Sequence, residues 1–205
     1  MELNLLSFLF SVILISLSGV MMPGPVFAVT VAKGYKSKTA GALIALGHGV
    51  IEFPLMFLIY FGFAQLFTSS VQKIVGFTGG LILLYMGFQM FRTVKNSSEE
   101  PSEGSAHSSI VAGILTTCAN PYFFLWWITV GASLIMNSMI FGFSGFLIFT
   151  FTHWFCDLSW DTFVSFTVFK SKKFWNRKMQ QAVFGFCFIT LSAFGIWFII
   201  SSLAL

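Results

Sequence analysis

An all-α integral membrane protein is the fold class that this sequence predicts, with six transmembrane helices arranged as two inverted three-helix repeats. Of the 205 residues, 57% are apolar and only 9% are charged, and the mean hydropathy is +0.88. This is too little polar material to cover a soluble globule of that size. Apolar stretches of membrane length recur six times, and proline interrupts the first stretch of each half. These observations predict two related halves, each with a broken first helix.

The six predicted spans each reach the roughly 20 helical residues that a bilayer core requires. They cover residues 4–32, 40–67, 71–91, 110–136, 140–168 and 182–205. The first span is not a predicted secretory signal, because its leading segment holds Glu2 and no Lys or Arg. A signal peptide begins with a basic region.

Proline motifs interrupt helices 1 and 4, at Pro23-Gly24-Pro25 and at Asn120-Pro121. Proline removes a backbone donor and clashes with the preceding turn, so each helix is predicted to be broken there. A single proline is more often only a kink, but recurrence in two halves indicates a transport site. A helix that restarts after a break presents free N–H groups and the positive end of its dipole, which suit a carboxylate. Asn120 is also a favourable N-cap residue.

The polar segment 93–109 divides the chain. It is rich in Glu and Ser and cannot bury enough apolar surface to fold alone. The sequence therefore predicts a first three-helix repeat at 1–92, a polar cytoplasmic linker at 93–109 and a second three-helix repeat at 110–205. Because each half has an odd number of spans, the second half is predicted to enter the membrane with reversed orientation.

The basic residues are distributed unevenly along the chain. Of the 11 Lys and Arg residues, only Lys73 lies outside the segments between spans 1 and 2, 3 and 4, and 5 and 6. Such a bias in short loops predicts orientation. We expect a multi-pass protein of the cytoplasmic membrane with both termini outside. The net charge of +4 follows this topology and does not indicate nucleic-acid binding.

Two pairs of ionisable residues lie near the middle of predicted spans. His48 and Glu52 are four residues apart in span 2, and His153 and Asp157 are four apart in span 5, with Asp161 continuing the second face. An ionisable group at that depth needs a partner or water, and no span offers a Lys or Arg in its interior. The carboxylates must therefore be protonated, paired with protonated His, or neutralised by a bound cation. The structural alternative is hydrogen bonding between helices.

Small residues predict close helix packing. Gly76 and Gly80 form a G-x-x-x-G pattern in span 3, and Gly41, Ala45 and Gly49 line one face of span 2. Small side chains let helix backbones approach each other in a membrane, so these positions favour a packed bundle.

Several motifs together identify a family. They are Pro23-Gly24-Pro25, the basic segment 33–38, the Gly41/Gly47/Gly49 series, and Gly113-Ile114-Leu115 leading to Asn120-Pro121 with Phe124 and Trp126. On these residues the chain resembles the LysE/RhtB family of small amino-acid exporters (LysE-type translocators) over essentially its whole length. The resemblance implies a six-span inner-membrane protein that performs proton-coupled efflux of amino acids or related small solutes. The chain departs from the family pattern at Tyr122, where a basic residue is common, and in span 2, where His48 and Glu52 replace an early Asp.

The leading hypothesis is a secondary transporter, not an enzyme, that exports amino acids or similar small zwitterionic or cationic solutes, with H+ as the coupling ion and no other cofactor. We expect a small-molecule substrate and the lipid bilayer as partners and no nucleic acid, and a homo-oligomer is left open. The predicted substrate-binding residues are Pro23, Gly24, Pro25, Asn120, Pro121, His48, Glu52, His153 and Asp157. The predicted proton-coupling residues are Glu52, Asp157 and Asp161.

A divalent transition-metal exporter is the main alternative, in which His48, Glu52, His153 and Asp157 would bind the metal as cargo. A membrane redox carrier is disfavoured, because Cys118, Cys156 and Cys187 form no C-x-x-C pair. An enzyme is disfavoured because the chain has no sizeable soluble portion and no nucleophile–base constellation.

Overall fold

A computed structural model describes residues 4–63, 68–95 and 106–204, and these residues contain helices and short connections without a β-strand. The α-helices in chain order are α1 (Leu5–Val20), α2 (Pro25–Lys36), α3 (Ala40–Tyr60), α4 (Ser69–Lys95), α5 (Ala106–Cys118), α6 (Pro121–Trp126), α7 (Ala132–Met139), α8 (Gly142–Ser171) and α9 (Arg177–Ala204). A π-helical turn, Trp127–Gly131, joins α6 to α7, and a 3₁₀ turn, Lys172–Phe174, follows α8.

The predicted all-α membrane architecture is confirmed at the level of helices that could cross a bilayer. The described residues contain four helices that are long and apolar enough, or five when α1 and α2 count as one bent span. The four are Ala40–Tyr60, Ser69–Phe88, Pro121–Met139 and Arg177–Ala204. Helix α8, in place of predicted span 140–168, is 30 residues long but is not among them, because His, Asp, Ser and Thr residues lower its hydropathy.

Two helices overlap the ends of the predicted linker. Helix α4 continues past residue 92 to Lys95, and α5 already begins at Ala106. The helices therefore extend into both ends of the predicted linker 93–109. Its middle, residues 96–105, lies outside the described part of the chain, as do residues 64–67 of predicted span 2.

The first proline motif separates α1 from α2, whose axes differ by 75°. Gly24 is the N-cap of α2 with extended backbone, φ −145° and ψ −169°, and Pro25 occupies the first helical position. Proline is well suited to that position because its missing N–H would have no helical partner there. The sequence thus stops one helix and starts another inside a single apolar stretch.

The second proline motif separates α5 from α6. The Asn120 side chain accepts a hydrogen bond from the Tyr122 backbone N–H at 3.1 Å, and Pro121 is the first residue of α6. Asn120 therefore caps the N-terminus of α6, as the sequence predicts. In the π turn that follows, the backbone hydrogen bonds span one residue more than in an α-helix. This turn begins at Trp127 and leads into α7.

Close backbone contacts at glycine hold the helices together. A Cβ atom at Gly80 would collide with the carbonyl oxygen of Gly195, so α4 and α9 meet through two glycines. Helices α3 and α5 cross in the same manner. A Cβ atom at Gly47 would overlap the carbonyl oxygen of Ile110, and a Cβ atom at Gly113 would overlap the carbonyl oxygen of Ile44. These contacts agree with the close packing that the small-residue patterns predict.

Helices α3 and α8 run antiparallel through the centre of the bundle. The start of α3 at Gly41 lies against Asp161 late in α8, whereas Phe57 late in α3 packs edge-on against Phe146 early in α8, with ring centroids 5.2 Å apart. One apolar cluster includes Ile44 and Val164, and another includes Leu55 and Phe149. The polar residues of both helices lie between these two clusters.

Two basic segments meet at one end of the bundle. Lys172 Nζ donates to the Tyr35 carbonyl at 3.0 Å, and Trp175 packs on the Tyr35 ring at a centroid distance of 5.3 Å. Ser165 donates to the Lys38 carbonyl at 3.0 Å. The outer surface of the helices carries exposed apolar side chains such as Leu6, which suits a lipid environment.

The α3–α5 crossing yields a stability prediction. Gly47→Ala should lower the melting temperature of the detergent-solubilised protein, because the new methyl group meets backbone, which cannot rotate away, and overpacking costs about 1–3 kcal/mol. Gly185→Ala in α9 is the matched control, since nothing lies within 4 Å of its Cβ position. A Gly47→Ala protein that melts with the wild type would contradict the described crossing.

Candidate transport site

A cavity of about 120 Å³ lies between the two apolar clusters, where the broken helices meet α3 and α8. It is lined by both sides of the first break, by the polar centres of α3 and α8, by the start of α6 and by one residue of α9. Nine of the ten predicted site residues line it: Pro23, Gly24, Pro25, His48, Glu52, Asn120, His153, Asp157 and Asp161. The tenth, Pro121, lines a second and mainly apolar cavity of about 150 Å³ between α4, α6 and α9.

The Glu52 carboxylate joins the two predicted pairs into one network. Its Oε1 atom lies 3.1 Å from His48 Nε2 on the same helix and 3.2 Å from His153 Nε2 on α8. Glu52 is completely buried, at 0% exposure. The sequence predicts each histidine beside the acid of its own helix, whereas in the structure both histidines share Glu52.

Hydroxyl groups hold the far side of each imidazole. His48 Nδ1 lies 2.8 Å from the Thr117 hydroxyl of α5, and His153 Nδ1 lies 2.7 Å from the Ser16 hydroxyl of α1. A hydrogen bond at one ring nitrogen fixes the ring and decides which group the other nitrogen faces. In both histidines Nε2 therefore points toward Glu52.

Aromatic rings enclose the two histidines. The His153 ring stacks on Trp126 at 5.3 Å, and the Trp127 ring packs against it at 4.9 Å. Phe123 packs edge-on to His48 at 5.0 Å. Face-on rings stabilise a nearby cation, so this environment tolerates a protonated imidazole or a substrate ammonium group.

Two buried carboxylate oxygens in the site have no hydrogen-bond partner among the described residues. Glu52 Oε2 and Asp157 Oδ2 are buried and unbonded, and the nearest imidazole contacts of Asp157 are 3.6 and 3.9 Å long. Buried polar atoms are almost always satisfied in native proteins. These two oxygens could therefore accept a hydrogen bond from a ligand in the cavity or contact a cation there.

Asp161 extends the polar site along α8. Its Oδ1 accepts a hydrogen bond from the Thr30 hydroxyl of α2 at 3.0 Å, and its carboxylate lines the cavity. It lies on the side where α3 begins, beside Gly41. The three acids thus form a path along the cavity from Glu52 through Asp157 to Asp161.

The charges in the cavity do not balance without bound protons or cations. Three carboxylates and two imidazoles line it, and no Lys or Arg does. With both imidazoles neutral and all acids ionised the net charge would be −3, so three protons or an equivalent cation restore neutrality. An unbalanced buried charge is too unfavourable to persist, so the described groups of the site must carry protons or have a cation beside them.

The helix restart at the first break has backbone donors available. Gly24 provides no side-chain cap, and Val26 and Phe27, whose N–H groups begin α2, line the cavity. At the second break the Asn120 side chain already satisfies the Tyr122 N–H. The start of α6 thus has a side-chain cap, whereas the start of α2 at the cavity has none among the described residues.

Some residues of the site are not identified by the sequence reasoning. These are the hydroxyl partners and the rings around the imidazoles, namely Ser16, Thr30, Thr117, Phe123 and Trp127. Ser16 and Thr117 precede the first residue of their break by seven and three residues. A hydroxyl residue about one or two turns before each break is a signal that could have found them.

The chain was compared with known protein families, with curated proteins and with solved structures. Residues 17–202 match the model of the LysE type translocator family. No curated protein and no solved structure gives a significant match. The family match covers nearly the whole chain, including both proline motifs and both histidine–acid pairs. This protein therefore belongs to the LysE type translocator family.

Proposed function

We propose that this protein is a secondary transporter that exports amino acids, or similar small zwitterionic or cationic solutes, across the cytoplasmic membrane by proton antiport. The observation that carries the proposal is the cavity lined by three acids and two imidazoles with no fixed cation. Membership of a translocator family supports membrane export of small solutes and a transporter rather than an enzyme.

An amino acid would be oriented by carboxylates and backbone donors that line the same cavity. Its ammonium group would donate to the unbonded oxygens of Glu52 and Asp157. Its carboxylate would accept from the N–H groups of Val26 and Phe27, at the positive end of the α2 dipole. Asn120, whose side-chain NH₂ remains a donor, lines the same cavity.

Proton antiport follows from competition for the same oxygens. A proton on Glu52 or Asp157 removes the negative charge that attracts an ammonium group, and a bound ammonium group opposes protonation. Protons arriving from outside would therefore release the substrate there. Asp161, bonded to Thr30 on the side where α3 begins, would carry the proton onward toward the basic end of the bundle.

The proposed architecture has six spans as two inverted repeats, with α8 as the fifth span. The pairing of α3 with α5 is matched by that of α8 with α1, and α3 and α8 meet antiparallel. Together with the charge bias of the loops, this pairing supports a cytoplasmic basic end and two outside termini. The small-molecule substrate and the lipid bilayer are its partners, and a homo-oligomer stays a prediction.

Export of a divalent transition metal is the second candidate. Donor atoms of His48, Glu52 and Asp157 all lie within 4.8 Å of one another. Bond lengths of about 2.0 Å place the ligand atoms of a tetrahedral zinc ion about 3.3 Å apart. The distance of 3.1 Å between His48 Nε2 and Glu52 Oε1 is close to that value. The α2 donors favour a substrate with a carboxylate, so we place the metal second.

Neutral replacements of the acids test proton coupling. Glu52→Gln and Asp157→Asn should each lower exchange of amino acids in proteoliposomes at least tenfold and remove its dependence on a pH gradient, because the amide cannot titrate. Glu99→Gln, in the predicted linker, is the matched control and should transport like the wild type. Wild-type exchange and pH dependence in both acid variants would show that the acids are only structural.

Replacement of the histidines separates the two substrate classes. His48→Gln and His153→Gln should alter the pH profile of amino-acid exchange and leave part of the activity, because the imidazoles orient Glu52 and exchange protons with it. Titration calorimetry of the purified wild type with zinc or nickel should show no tight stoichiometric binding. Tight binding that both variants lose would favour the metal exporter instead, because an amide oxygen replaces an imidazole nitrogen poorly.

A further inference from the structure

The Thr117 hydroxyl lies between a backbone carbonyl and the His48 ring. The Thr117 hydroxyl oxygen lies 2.7 Å from the Gly113 carbonyl oxygen and 2.8 Å from His48 Nδ1. A carbonyl oxygen can only accept, so the single hydroxyl proton lies on the bond to Gly113. The hydroxyl oxygen must then accept from His48, which places a proton on Nδ1.

We propose that Thr117 is a positioning residue that holds His48 in the Nδ1–H form and so presents Nε2 as the atom that exchanges a cation in the cavity. The proposal rests on the proposed function in one respect, that the cavity exchanges cations. It holds for a proton and for a metal ion, since each would bind to the same nitrogen lone pair.

The surroundings of His48 Nε2 suit such an exchange. Glu52 Oε1 lies 3.1 Å away and Asp157 Oδ1 3.9 Å away. The remaining titratable groups that face it are His153 and Asp161 of α8, which line the same cavity. Every charged neighbour of Nε2 is therefore on the cavity side, while the Nδ1 side is closed by α5.

Thr117 is held firmly in place by the packing of α5. Helix α5 crosses α3 through the close contacts of Gly47 and Gly113, so Thr117 and His48 belong to two helices whose backbones touch. His153 has a different kind of partner, because the Ser16 hydroxyl that it contacts also bonds the Cys156 thiol of α8. A helix carbonyl therefore orients the hydroxyl beside His48, whereas a thiol shares the hydroxyl beside His153.

Thr116 provides a matched control beside Thr117. Both residues are buried at 0% exposure, and the Thr116 hydroxyl also donates to a helix carbonyl, that of Ala112, at 2.6 Å. Only Thr117 contacts His48. Valine at either position removes a hydroxyl of the same kind, so a difference between the two variants reports the histidine contact.

Nitrogen NMR of ¹⁵N-histidine-labelled protein tests the tautomer directly. The chain has only 3 histidines, so the His48 signals can be assigned by replacing each histidine in turn. In the wild type and in Thr117→Ser, neutral His48 should carry its proton on Nδ1, and Thr117→Val should shift it toward Nε2. A wild-type proton on Nε2, or an unchanged tautomer in Thr117→Val, would overturn the proposal. An imidazolium that persists at every pH at which the protein is folded would also overturn it, since Nε2 would never exchange.

Amino-acid exchange in proteoliposomes under a pH gradient tests the consequence. Thr117→Val should lower exchange roughly 10- to 100-fold, the range for lost outer partners of metal-binding histidines, whereas Thr116→Val and Thr117→Ser should keep it. Equal losses in both valine variants would refute the specific role of Thr117. If the wild type exchanges no amino acid, the proposed function fails, while the NMR result still decides the role of Thr117.

Discussion

At the centre of this protein one carboxylate oxygen, Glu52 Oε1, lies within 3.2 Å of an imidazole from each half of the chain. An isolated ionised carboxylate buried in an apolar bundle is strongly unfavourable, so Glu52 must be protonated or accept from a protonated imidazole of α3 or α8. Those helices must pass close together, and Gly41 against Asp161 allows it. The glycine contacts, the antiparallel pairing and the two apolar clusters together bring these groups to one cavity.

The proline breaks complement this centre. They interrupt helices at the cavity, where freed backbone groups can serve a ligand rather than remain unsatisfied in lipid. The α2 restart supplies uncapped donors beside an acidic cluster that lacks fixed cations. Backbone donors and carboxylate acceptors in one cavity would suit a zwitterion, and this is the basis of the proposed competition between substrate and protons.

Features fixed by local chemistry could be predicted from the sequence. Pro25 and Pro121 dictate where helices restart, Asn120 caps its helix, and four-residue spacing puts His48 with Glu52 and His153 with Asp157. Features fixed by tertiary packing could not. The contact between Glu52 and His153 spans 101 positions of the chain, and the partners Ser16 and Thr117 are ordinary hydroxyl residues until the helices are packed. Pro121 faces away from the cavity because the rotation of a short helix is set by its neighbours.

The central claim is that protons and substrate compete for the acids around Glu52. The most direct measurement is the number of protons released when the purified protein binds a cationic amino acid, obtained by calorimetry in buffers of different ionisation enthalpy. The account predicts release of about one proton per bound substrate, because each positive group replaces another in a site that must stay near neutral. Binding with no proton release at any pH would contradict it.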